Sequence, residues 1–129
     1  MDPVARFYDA YNAHDPDRLD AVLDGAYVGV ENGVRIEGIE QAKRFVAAFL
    51  AAFPDCAYTT RRQVKGRDRV AAEWSFTATH QGIFQGIDPT GNRVAASGHV
   101  MFEVRGDRIH SLTSTWDAAG LKARLQGNT

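Results

Sequence analysis

The sequence has a single cysteine, Cys56, so no disulfide can form within the chain and an oxidising compartment is not needed. No apolar run approaches the ~20 residues of a membrane-spanning helix, and the opening Met-Asp-Pro carries no signal-peptide pattern, so a cytoplasmic protein without membrane contact is expected. Charge of one sign is also missing. Fifteen Lys and Arg against 16 Asp and Glu leave a net −1, which provides no electrostatic footprint for nucleic acid. The densest basic cluster, Arg61, Arg62, Lys65, Arg67 and Arg69, is interrupted by Asp68 and reads as the solvated end of a hairpin. There is no G-x-S-x-G elbow, no Walker A motif and no dinucleotide G-x-G-x-x-G. No H-x-x-x-H pair or cysteine cluster suggests a metal. Cys56 itself, following Pro54-Asp55 at a strand start, reads as a small core residue. What is present is carboxylates, histidines and aromatics, a set suited to proton transfer without a cofactor.

The 129 residues, 44% of them hydrophobic, suit one domain over 1–129 with one core. Val4, Phe7, Tyr8 and Tyr11 recur at helical spacing behind Asp2-Pro3, an N-cap followed by proline at the first helical position. Pro16–Leu23 predicts a second short helix capped by Asp15, Ala26–Val30 a short strand, and Gly33 a turn. Ile39–Phe53 is the clearest helix, with a stripe of Ile39, Ala42, Phe45, Val46, Phe49, Leu50 and Phe53 stopped by Pro54. Beyond it the period becomes 2, predicting strands over Cys56–Val64, Arg69–His80, Arg93–Arg105 and Arg108–Trp116, and a short helix over Ala118–Leu125. Helices first and a strand meander after them indicate an α+β fold: N-terminal helices packed over one face of a curved antiparallel sheet. Such a cone is open at one end and makes a pocket for a small hydrophobic molecule.

Alternation sorts the residues that could line it. On Arg69–His80 the even set, including Trp74, Phe76 and His80, shares the apolar face. His99, Met101 and Glu103 share one face of the next strand and could lie near Thr113, Thr115 and Asp117 on the last. Neither face of that last strand is plainly the inside. Asp117, at a strand end behind Trp116, is the leading acid/base candidate, and it is equally placed to cap the helix that follows. His80 and His99 could polarise a carbonyl or shuttle a proton; His80 could instead tie the following loop to the sheet. Tyr8, Tyr11, Tyr27 and Trp74 could supply aromatic walls and hydroxyl donors. Glu31 and Asn32 flank the turn after the first strand and could reach the mouth of a cone, or form an ordinary polar turn.

Several stretches in shared order carry a family resemblance: F-Y-D-A-Y-N-A-H-D-P-D-R-L at Phe7–Leu19, A-F-L-A-A-F-P-D at Ala48–Asp55, T-H-Q-G-I-F-Q-G-I-D-P-T-G-N at Thr79–Asn92, R-G-D-R-I at Arg105–Ile109 and W-D-A-A-G-L at Trp116–Leu121. They resemble the SnoaL-like polyketide cyclases, a branch of the nuclear transport factor 2-like superfamily. The resemblance implies a cone-shaped domain, a homodimer, no cofactor, and ring closure by intramolecular aldol addition with an aspartate as acid/base. Asp117 is the position matching that aspartate, with His80 or His99 beside the enolate. The resemblance also leaves open a hydrolase or hydroxylase that activates water, or a binding module without catalysis. Two departures stand out: Ser111 and Thr113 lie near places where many relatives carry an acidic and an aromatic residue, and Val30-Glu31-Asn32 replaces a frequent His or Asn followed by Pro.

Overall fold

A computed structural model describes residues 2–127. Helix α1 (Pro3–Asn12) starts where Asp2 Oδ1 accepts the Ala5 N–H at 2.8 Å, with Pro3 in the first turn. Asp15 caps a 3₁₀ turn over Pro16–Ala21, shorter and tighter than the α-helix expected there. Strand β1 (Leu23–Glu31) starts earlier than its alternation suggested, and β2 (Val34–Glu37), too short to be read from sequence, pairs back onto it across Asn32-Gly33. Helix α2 spans Gly38–Ala52, followed by β3 (Ala57–Lys65), β4 (Arg69–Thr79), β5 (Arg93–Arg105), β6 (Arg108–Trp116) and α3 (Ala118–Leu125).

The six strands form one sheet in the order β2-β1-β6-β5-β4-β3. All neighbours are antiparallel except β1 and β6, which run parallel, with Glu31 opposite Ser114. That parallel pair was not anticipated, because it joins segments far apart in sequence and no local turn announces it. Helices α1 and α2 pack on one face. Val4, Phe7, Ala10, Val46, Leu50, Phe53, Phe76, Val100, Phe102 and Leu112 are buried together there. Pleat alternation then settles the ambiguous last strand: Leu112, Ser114 and Trp116 point inward, while Thr113 and Thr115 are exposed on the uncovered face.

The stripe of α2 is wider than its core contact. Ala42, Val46 and Leu50 are buried, but Phe45 remains 36% exposed and Phe49 only partly covered. Those two rings overhang the open end of the cone.

Candidate functional site

Two contiguous cavities occupy the cone. The inner chamber has a volume of about 30 Å³ and is walled by Phe7, Tyr8, Tyr11, Tyr58, Trp74 and Ser114. Outside it lies a vestibule of about 430 Å³, lined by Asn32, Val34, Ala48, Ile83, Phe84, Gln85 and Ala118. Glu31, Phe45, Phe49 and Trp116 line both. The aromatic rings therefore form a neck, and Glu31 is the carboxylate set in it. Neither lining contains an Arg, Lys or His.

Glu31 is there because β1 alternates: Tyr27, Gly29 and Glu31 share the inward face. Gly29 is required beneath it, since a Cβ would lie 2.4 Å from the Tyr27 hydroxyl. With no cation to offset its charge, burial pushes the Glu31 carboxyl up to about 7, opposed only by a hydrogen bond from Ser114. All four tyrosines of the chain surround it. Desolvation first, and the Glu31 charge after it, raises Tyr8, Tyr27 and Tyr58; in Tyr11 the neighbouring Tyr58 adds to both. The hydroxyls therefore stay protonated and are available as donors. Tyr58 is drawn into place by Asn12 at the end of α1, whose side chain exchanges two hydrogen bonds with the Tyr58 backbone at 3.0 and 2.7 Å. Tyr11 and Tyr58 then meet at 4.7 Å between ring centroids.

Asn32 holds the mouth together. At φ +49° it turns the chain, donates its N–H to the Ser114 carbonyl at 2.9 Å, and accepts the Trp116 N–H on Oδ1 at 2.8 Å. The loop between β4 and β5 supplies the opposite wall. His80 is fully buried beneath it; its Nδ1 accepts the Thr90 N–H at 3.2 Å and lies 3.0 Å from Thr90 Oγ1. Gln81 and Gly82 both donate to the Ala52 carbonyl, and a Cβ on Gly82 would sit 2.1 Å from the Ala51 oxygen. This clamp presents Ile83, Phe84 and Gln85 to the vestibule.

The residues singled out from sequence separate into three places. Tyr11, Tyr27, Trp74 and Phe76 are buried in the cone, and Asn32 is at its mouth. His80 is under the loop, with Nε2 unpartnered and no place in either cavity lining. His99, Met101, Glu103, Thr113 and Asp117 are on the other side of the sheet. Asp117 is exposed, its Oδ1 accepts the Gly120 N–H at 2.8 Å, and it caps α3. His99 Nε2 lies 3.4 Å from Glu73 Oε1, and both line an outer groove of about 300 Å³ with Arg61 and Asp117. Asp117 and His99 thus line one groove, but outside the cone. The reason is parity: both belong to the odd set, and the even set turned inward. Tyr58 was not singled out, and Glu31 was expected only to reach the mouth or to form an ordinary polar turn, although the Tyr27-Gly29-Glu31 alternation was a readable signal for its place inside.

Among the described residues no group of three His, Cys, Asp or Glu side chains is arranged to hold a metal ion, and no helix is long and apolar enough to cross a membrane. The family model for SnoaL-like polyketide cyclases matches residues 2–125. The chain belongs to the SnoaL-like polyketide cyclase family. A proposed SnoaL-like cyclase from Jannaschia sp. CCS1 superposes with a TM-score of 0.87 at 20% identity, over 95% of this chain and 88% of that one. IdmH, a proposed polyketide cyclase from Streptomyces antibioticus, superposes at 0.83 with 25% identity over 96% of each chain. AclR, a proposed hydroxylase from Streptomyces galilaeus, gives 0.85 at 23% identity over 97% of this chain and 79% of its own. These likenesses show the fold. No curated protein matches the chain in sequence.

Proposed function

We propose that this family member is a cofactor-independent enzyme acting on a flat, uncharged, hydrophobic carbonyl compound, with Glu31 as its acid/base group. The observation that carries the reading is a lone carboxyl, raised to about 7, set in an aromatic neck between a large vestibule and a small chamber. The vestibule takes the body of the substrate between Phe45, Phe49 and Trp116. The chamber, about 30 Å³, admits a head no larger than a carbonyl oxygen or one water. The absence of cations from both linings disfavours carboxylates and phosphates.

The Glu31 carboxylate takes a proton from the carbon beside the carbonyl. The C–H pair becomes the enolate double bond, and the carbonyl π pair moves to oxygen, where tyrosine hydroxyls donate to it. The enolate carbon attacks a second carbonyl of the same molecule, and protonated Glu31 returns its proton to the new alkoxide. The sequence is an isomerisation and needs no co-reactant. We assign the aldol-type ring closure expected of Asp117 to Glu31, the only carboxylate among the described residues that lines these two cavities.

The first half-reaction can be tested with 2-tetralone, a small aromatic ketone, in D₂O. The wild-type protein should accelerate α-proton exchange, increasingly so as pH rises through about 7. Glu31→Gln should lose the acceleration and Asp117→Asn should retain it; full exchange in Glu31→Gln overturns the assignment. A second reading has one observation in its favour, the match between the chamber volume and a single water beside Glu31. Under it the enzyme is a hydrolase or hydroxylase, and oxygen from labelled water would enter the product. That chemistry finds no second acid among the described residues lining either cavity. The homodimer implied by the family resemblance would pair through the uncovered sheet face that holds Met101 and Thr113.

A further inference from the structure

Two rows of side chains cross the inner face of the sheet next to each other, and together they reach Glu31. In one row Trp74 and Trp116 flank Gly98; in the other Ser114 is opposite Glu31 on the parallel strand. Trp74 Nε1 donates to Ser114 Oγ at 3.1 Å, and both residues are nearly inaccessible at 4% and 3% exposure. We propose that Trp74 and Ser114 are positioning residues for Glu31, acting as a two-step hydrogen-bond relay that aims the serine proton at the carboxylate. This rests on the reading of Glu31 as the reacting group.

Donor inventory fixes the direction. An indole N–H can only donate, and a serine hydroxyl has one proton and two lone pairs. Because Oγ accepts from Trp74, its own proton is left for the carboxylate that faces it: Ser114 is paired with Glu31 across the parallel strands, and both line the inner chamber. Gly98 makes the relay possible, since a Cβ there would lie 2.6 Å from Trp74 and 2.8 Å from Trp116. The other elements around Glu31 bring no competing charge: α1 presents Tyr8 and Tyr11, α2 presents Phe45 and Phe49, β3 presents Tyr58, and β1 itself presents Tyr27. The relay therefore favours the ionised form against the burial that opposes it, and orients the carboxylate towards the neck.

The test is the titration midpoint of the Glu31 carboxyl, followed by ¹³C NMR in the full-length protein without ligand. Ser114→Ala should raise the midpoint by about one to two units, the effect of one lost hydrogen bond to the charged form. Trp74→Phe keeps an aromatic ring, removes the indole N–H, and should raise it less. The double variant should match Ser114→Ala alone, because Trp74 acts only through Ser114. Folding is safeguarded by the same double variant, in which no indole N–H is left orphaned. An unmoved midpoint in Ser114→Ala overturns the relay, as does a Trp74→Phe shift that adds in full on top of it. These outcomes are separate from the acid/base reading, which fails instead if Glu31→Gln still catalyses exchange.

Discussion

Glu31 is held where ionisation is costly, and the protein carries that cost in its stability. Its folded pKa of about 7 lies above the ordinary 4.5, so the folded state holds the proton more tightly than the unfolded chain does. The stabilisation from the neutral form is complete below the unfolded value and is lost as pH rises through the folded one. Glu31→Gln removes that loss. In urea unfolding, the stability of the variant relative to wild type should grow by up to about 3 kcal/mol between acid and mildly alkaline pH. A pH-independent difference would mean the carboxyl is solvated. Asp117 belongs to a different ledger: Asp117→Ala should cost about 1 kcal/mol as a lost N-cap, while Asp117→Asn should cost little because asparagine caps as well. Thermal melts of the two variants separate capping from any role of the charge.

At the level of elements, the strands β4, β5 and β6 and helix α2 were legible because their periods are long and regular. What could not be read was which face of β6 turned inward, and that choice decided the site. His99, Thr113 and Asp117 share the outer parity; Ser114 and Trp116 share the inner one, and only the pairing with β1 distinguishes them. Sequence alternation gives two faces but not their orientation. The same pairing explains Glu31: a polar residue beside a turn reads as solvent-facing until a parallel strand places Ser114 against it. Gly98 is the element-scale counterpart. Gly98→Ala should destabilise the fold by about 1–3 kcal/mol, since the methyl would meet Thr115 O at 2.5 Å as well as both tryptophans. The loop clamp makes its own prediction. His80→Ala should increase hydrogen exchange over residues 81–92 while β4 and β5 stay protected; unchanged exchange would remove the anchoring role from His80.

For the whole molecule, the sheet separates two surfaces with different tasks. The covered face encloses an aromatic cone with one titrating carboxylate. The uncovered face presents Met101, which is 41% exposed, among Ala71, His99, Glu103 and Thr113, and it is the surface expected to meet a second copy. Met101→Lys should then leave the chain monomeric in sedimentation velocity; a wild-type monomer at the same concentration would remove that expectation. The vestibule rim of Val34, Phe45 and Ile83 remains open to solvent, at 58%, 36% and 66% exposure, so substrate can enter without any part of the sheet moving. Everything proposed for the cone depends on the state of one carboxyl. The most direct measurement is therefore a ¹³C NMR titration of the glutamate side chains, with the Glu31→Gln spectrum identifying the resonance. A midpoint near 7 is the expected result. A midpoint at or below about 5, the range of solvated glutamates, would contradict it.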